Sequence, residues 1–264
     1  MSWVNNYKPP SPPDVLPESE LFGPTPYDVN FGFPIHQESL ETERVKLVPF
    51  IPSIHGQHYW DVTSKNLSVW RFYPFIHPSF EATFTFFERH IRQNPAWAIF
   101  AIIDKTKPDP EHPEFEGGSL AGVIGLLDTS TTNLSTEIGH VLVFPEFQKT
   151  HVASNAVGVL MKYCLDMPTA SPPGLGLRRV SWRAHSKNLA SKGLAEKMGF
   201  RMEGVIRWHW VLPEALATDG DKQWREGDPF YGKAGRHTNE LSVCWDDWEN
   251  GVRELVQSKI DRRV

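Results

Sequence analysis

This chain of 264 residues holds only two cysteines, Cys164 and Cys244, so no disulfide framework organises it. Neither a C-x-x-C nor an H-E-x-x-H spacing occurs, and no structural or catalytic metal is expected. Long apolar runs are also missing. None approaches the ~18 residues needed to span a bilayer, which excludes a membrane partner, and no charged stretch followed by an apolar one opens the chain as a secretory signal would. Basic clusters are absent too: 27 Lys and Arg stand against 32 Asp and Glu, a net charge of −5, which argues against a nucleic-acid partner. Internal repeats are not found. A soluble, cytoplasmic globular protein is therefore expected, long enough to bury a substantial core.

What is present in excess is aromatic: ten Trp and sixteen Phe. Such rings suit either a core or a deep apolar groove. Proline is concentrated in residues 1–40, at 9, 10, 12, 13, 17, 24, 26 and 34, which fixes φ, removes donors and predicts an extended arm. Trp3, Tyr7, Leu21, Phe22, Tyr27, Phe31 and Phe33 interrupt the prolines. A solvated linker seldom carries so many rings, so the arm is expected to lie across the domain or across the partner of a homodimer.

Residues 41–264 read as one domain. Strands are expected at 41–50, 97–104, 119–129, 137–144, 179–184, 201–211 and 240–245. Helices are expected at 55–68 and 78–93, from Val152, from Asn188 and from Asp246. A long polar loop spans about 213–238, of the kind that is functional or mobile. Strands and helices interleave without a strict βαβ rhythm, which fits an α+β layer fold around a mixed sheet. The stretch from Ser135 to Asp166 organises the rest: a strand, a polar turn, then a helix with Ala153, Ala156, Val157, Leu160, Met161 and Cys164 at helical spacing. Such a joint aims free backbone N–H groups and the positive helix end at one point, which suits a pyrophosphate.

The turn Gln148-Lys149-Thr150-His151-Val152-Ala153 resembles motif A of the GNAT N-acetyltransferases, a Q/R-x-x-G-x-G/A turn that cradles acetyl-coenzyme A. Gln148 matches the first position and Ala153 the last, while His151 replaces a glycine. Asn188-Leu-Ala-Ser191-Lys-Gly-Leu194-Ala-Glu-Lys-Met-Gly199-Phe200 is similar to the family's motif B. Ser191 and Ile138-Gly139 resemble the branch of the ribosomal-protein N-acetyltransferases. The resemblance covers roughly residues 41–248. It implies a mixed, mostly antiparallel sheet of about seven strands, helices on both faces, and a central parallel pair that splays apart.

The resemblance also implies an acetyltransferase that moves an acetyl group from acetyl-CoA to the primary amine of a small molecule, amino acid or protein N-terminus. Val141 would supply the carbonyl-polarising amide and Val143 the edge that pairs with pantetheine. Gln148, Lys149, Thr150, His151, Val152 and Ala153 would hold pyrophosphate. Asn188 would bond the pantetheine amides, and Ser191 would donate to the leaving sulfur, since the family's tyrosine is replaced by Ala195. Glu137 looks like the family's strand glutamate, a general base. Strand alternation places it on one face with Gly139 and Val141, so His140 competes as base only if the strand bulges. Lys149, Arg178 and Arg179 are the cations nearest in sequence to an anionic cofactor, and the His151 position calls for positive φ. Two alternatives stand beside this reading: CoA binding without catalysis, and an acyltransferase for a longer acyl-CoA whose pocket the surplus aromatics would line.

Overall fold

The computed structural model describes residues 1–8 and 15–263. The prolines expected to stiffen the arm at 9, 10, 12 and 13 lie outside them. Seven strands form one sheet in the order β1-β2-β3-β4-β5-β7-β6. They are β1 (Val45–Pro49), β2 (Ala98–Asp104), β3 (Ser119–Ser130), β4 (Ser135–Val143), β5 (Arg179–His185), β6 (Arg201–Val211) and β7 (Gly235–Cys244). All neighbours are antiparallel except β4 and β5. β2 reads Ala-Ile-Phe-Ala-Ile-Ile-Asp and is buried along its whole length, because helices cover both faces of the sheet there.

On one face lie α1 (Pro52–Lys65) and α2 (Phe80–Phe86), the latter extended by a wider helical turn through Arg92. Pro52 sits in the first turn of α1, where its missing N–H costs nothing. Ser79 caps α2 by accepting from the Ala82 amide at 3.1 Å. Phe80, Phe84 and Phe87 meet there as the helical spacing requires, and Phe84 and Phe87 are buried with Phe50 and Tyr59. The crossover from β4 to β5 carries α3 (Val152–Leu165) on the other face, against α6 (Arg253–Asp261). α4 (Leu189–Lys197) follows β5, and the short α5 (Trp245–Asp247) precedes α6. Cys164 is fully buried on α3, and burial pushes its thiol up.

The described part of the arm from Val15 to Ile35 runs over the domain. Leu21 is buried, and Leu16, Phe22, Phe31, Phe33 and Ile35 pack on the core. The Gly32 amide donates to Pro95 O at 2.8 Å, and the Tyr163 hydroxyl donates to Pro34 O. Trp3, Val4 and Tyr7 remain exposed.

The C-terminal end of the sheet differs from expectation. β7 begins at Gly235 rather than Glu240, and a bridge pairs Asp221 with Gly235. Arg236, His237, Thr238 and Asn239 carry no apolar alternation, yet they complete the ladder against β6 and β5. The loop of 213–238 is therefore partly ordered: Glu214–Asp219 is a 3-10 helix, and irregular chain is confined to about 222–234. Simple strand alternation also fails around Trp208 in β6. Trp208 has φ of 53°, and the register breaks between Ile206 and Trp210.

Candidate active site

β4 and β5 pair over three positions, Ser135↔Arg179, Thr136↔Val180 and Glu137↔Ser181, and then separate. Beyond Glu137 the facing edges have no strand between them. Phe144 donates its amide to Ala121 O on β3 at 2.9 Å, so alternation turns the amide of Val143 toward the gap. The Val143 carbonyl is capped by the Gln148 side-chain amide at 3.0 Å.

The β4 strand bulges inside this region. Gly139 faces Gly125 and Leu142 faces Val123, so His140 and Val141 together oppose one residue of β3, and His140 takes φ of 49°. The uninterrupted alternation expected for β4 is thereby broken. His140 turns into a ring cluster with Tyr73, Phe75 and Phe87. Burial, with His77 near, pushes its imidazole down to about 3, so it is neutral, and Nε2 has no partner.

Glu137 is 8% exposed. Its Oε2 accepts from Arg183 Nη1 at 2.8 Å. Arg183 also donates to Asp128 at 3.0 Å and to Glu240 at 2.8 Å. Burial raises the Glu137 carboxyl to about 7, against the pull of Arg183, and the nearby charges of Asp128 and Glu240 add to the rise. A carboxyl poised near neutrality can take up and return a proton.

Across β5 the side chains divide. Arg183 points to Glu137, whereas Trp182 donates its indole N–H to Ser191 Oγ on α4 at 3.0 Å. Ser191 keeps its hydroxyl hydrogen for another acceptor. Asn188 caps α4, its Oδ1 accepting from the Ser191 amide at 3.1 Å, which leaves its NH2 group free of that bond. The gap therefore has a carboxylate wall on one face and the first turn of α4 on the other. A cavity of about 370 Å³ runs through it, lined by Phe72, Tyr73, Phe75, Glu137, His140 and Ser191 among others. Phe72 and Tyr73 thus line the site, while Trp70 is core.

The turn before α3 has the backbone geometry of an anion cradle. Among the described residues, the amides of Lys149, Thr150, His151, Ala153 and Ser154 donate to no protein acceptor. The Val152 amide is only weakly engaged, by Thr150 Oγ1 at 3.3 Å. The expectation for His151 is corrected here: it is helical, with φ of −69°, and the positive φ of 62° falls on Lys149. The His151 ring does not face the cradle but meets the buried Asp104 at 3.2 Å. Arg178 and Arg179 are also corrected. They open β5 beside Ser135, at the opposite end of the strands from the turn, and Arg179 is clamped to Glu203 at 2.6 Å. A chain-order argument could not show this, because parallel strands start together. Arg236, which sequence reasoning missed, lines the cavity from the unforeseen first half of β7.

The split sheet, the amide cradle at its open end and the cavity between them define an acyltransferase fold of one family. The family model for the GNAT acetyltransferase domain matches residues 44–201, and the chain belongs to that family. No curated protein sequence matches. Among solved structures, a GCN5-related N-acetyltransferase from Brucella melitensis is similar at 23% identity and TM-score 0.63, covering 85% of this chain and 86% of its own. A probable GNAT-family acetyltransferase from Chromobacterium violaceum is 22% identical with TM-score 0.63, over 92% of this chain and all (100%) of its own. The spermidine N-acetyltransferase of Vibrio cholerae, solved with CoA and spermine, is 15% identical with TM-score 0.57, over 79% and 100%. These likenesses concern the fold. The branch of the ribosomal-protein enzymes is not singled out by them. No described helix is long and apolar enough to cross a membrane.

Proposed function

We propose that the protein transfers an acetyl group from acetyl-CoA to a primary amine, directly, with both substrates bound. The observation that carries this is the position of Glu137, a buried carboxyl raised to about 7 on one face of the split, with Ser191 on the other. The residues fit the nucleotide: the free amides of 149–154 and the dipole of α3 suit its pyrophosphate, with Gln148 holding the end of β4 in place. Val143 and Asn188 offer hydrogen bonds along the gap, where a pantetheine chain would run. Bound acetyl-CoA supplies an activated thioester carbonyl.

Around that carbonyl the chain's own groups divide the work. Glu137 accepts the proton that the attacking ammonium or amine must lose. The Val141 amide, at the bulge of β4, is the donor assigned to the negative charge developing on the carbonyl oxygen. The C–N bond forms as the C–S bond breaks, and the electron pair leaves on sulfur. Ser191 donates a hydrogen bond there, with its own oxygen held by Trp182. A serine hydroxyl is a weak acid, so it stabilises the thiolate rather than fully protonating it. His140 is the weaker base of the two, because its burial has already removed most of its affinity for a proton.

A free-thiol release assay tests this, with acetyl-CoA over a panel of amines and longer acyl-CoAs run beside it. Amine-dependent thiol release with acetyl-CoA is expected. CoA binding without release, or release only with longer acyl groups, would replace this reading by one of its alternatives.

A further inference from the structure

The cavity wall holds one guanidinium that, among the described residues, no side chain pairs directly, although the Glu137 carboxyl acts on it through space. Arg236 lies at the start of β7, opposite Trp210 of β6, and is only 7% exposed. Among the described residues its guanidinium makes no hydrogen bond or ion pair, and Nε is buried without a partner. Burial pulls its pKa down to about 10, which still leaves it charged at neutral pH. The other guanidinium on this wall, Arg183, is fully engaged by Asp128, Glu137 and Glu240. Tyr73 Oη, His140 Nε2 and His185 Nε2 are also buried without partners around the same space. Burial holds both histidines neutral, at about 3 and about 4. An unpaired buried charge is costly, so a guanidinium kept at a cavity wall marks the place of a complementary anion.

We propose that the acceptor is a small amine that also carries a carboxylate, gripped by Arg236 while its amine lies at Glu137. This rests on the N-acetyltransferase reading. The anion belongs to the acceptor and not to the nucleotide, because alternation along β7 puts Arg236 on the face of Glu240, the face of Arg183 and Glu137. The amide cradle and Ser191 lie toward α3 and α4. A carboxylate fits for two reasons. The planar guanidinium fork matches it in a bidentate pair. Asp128, Glu137 and Glu240 all bond Arg183 and none of them bonds Arg236, so a monoanion can pair with Arg236, whereas a phosphate dianion would set a second negative charge beside those acids. The acceptor is small because the space is about 370 Å³ and residues 72–75 roof it. That roof is tied down where Arg71 grips Asp219 at 2.6 and 2.8 Å. A polyamine would set ammonium groups against Arg236.

The test uses the full chain and amine pairs that differ by the carboxylate alone, phenylalanine against phenethylamine and lysine against cadaverine. Spermidine and ethanolamine phosphate are run beside them. In free-thiol release, the carboxylate-bearing member of at least one pair should show kcat/KM ten- to a hundredfold higher. In Arg236→Gln that ratio should collapse toward one, chiefly through KM, and Arg236→Lys should keep part of it. The ratio is read within each variant, so a change in folded fraction does not imitate it. Equal or better use of the carboxylate-free amines by the wild type overturns the inference and leaves the acetyltransferase reading intact, as does preference for ethanolamine phosphate. If no amine releases thiol, the acetyltransferase reading falls, and calorimetry decides the rest. Heat from phenylalanine or lysine that is lost in Arg236→Gln keeps a carboxylate site, and no heat from either removes it.

Discussion

Glu137 illustrates how much a single residue depends on its surroundings. Its place four residues before Val141 is visible in the chain, but its raised pKa comes from burial and from acids on β3 and β7. As a base it must be ionised, so turnover should rise as pH passes through about 7. In Glu137→Gln that limb should vanish, with a fall of ~10²–10⁴-fold at neutral pH and recovery only where alkali deprotonates the amine itself. A pH–rate profile unchanged by the substitution would move the base elsewhere, to His140 first. The same shift has a stability sign. A carboxyl raised in the folded state binds its proton more tightly there than in the unfolded chain. Its contribution is therefore complete below the unfolded pKa, near ~4.3, and is lost as pH rises through about 7. Melting temperature should fall over that window, and fall less in Glu137→Gln. Ser191→Ala should act differently, lowering turnover about tenfold to a hundredfold at every pH, the worth of one hydrogen bond to a developing charge, with little change in acetyl-CoA affinity.

Elements set what these residues can reach. The turn from Gln148 into α3 presents five amides without protein partners, and its strain sits on Lys149 rather than on His151. An added negative charge should repel a pyrophosphate there. Thr150→Glu is expected to weaken CoA binding about tenfold, near ~1.4 kcal/mol, by calorimetry on folded protein, and unchanged affinity would disprove the cradle. His151 has a different job. With the amide and hydroxyl of Thr106, its ring satisfies Asp104, which is only 4% exposed at the end of β2. Restoring the family's glycine by His151→Gly should therefore destabilise the protein by ~1–3 kcal/mol, read from urea unfolding, instead of improving the site. The identity of residue 151 was plain in the sequence. Its partner, 47 positions away, was not.

At the scale of the whole molecule the N-terminal arm behaves as part of the domain rather than as a tether. Leu21 is 1% exposed and Tyr163 on α3 bonds Pro34, whereas Trp3 and Tyr7 are 86% and 73% exposed. Brief chymotrypsin treatment should therefore cut after Trp3 and Tyr7 and spare Leu21, Phe31 and Phe33. Equally fast cleavage at all of them would show that the arm contributes no packing. Deleting residues 1–37 should lower stability by several kcal/mol, since burying one large apolar side chain is worth ~1.5–3 kcal/mol and the arm docks more than one.

By itself the sequence determined most of the elements, the mixed sheet and the positions of both motifs. Those depend on local physics: β-branched runs, helical spacing of apolar residues, and turn and cap residues that act within a few positions of themselves. Tertiary structure alone decided the rest. The bulge at His140 arises from register with β3, and the first half of β7 is held by two neighbouring strands although its own pattern is polar. Arg178 and Arg179 lie far from the cradle because parallel strands align their starts. Arg236 became a candidate because the first half of β7 carries it into the cavity wall, where it is buried. A charge becomes informative when the fold buries it without a partner, and both burial and partnership are long-range properties that no local pattern encodes.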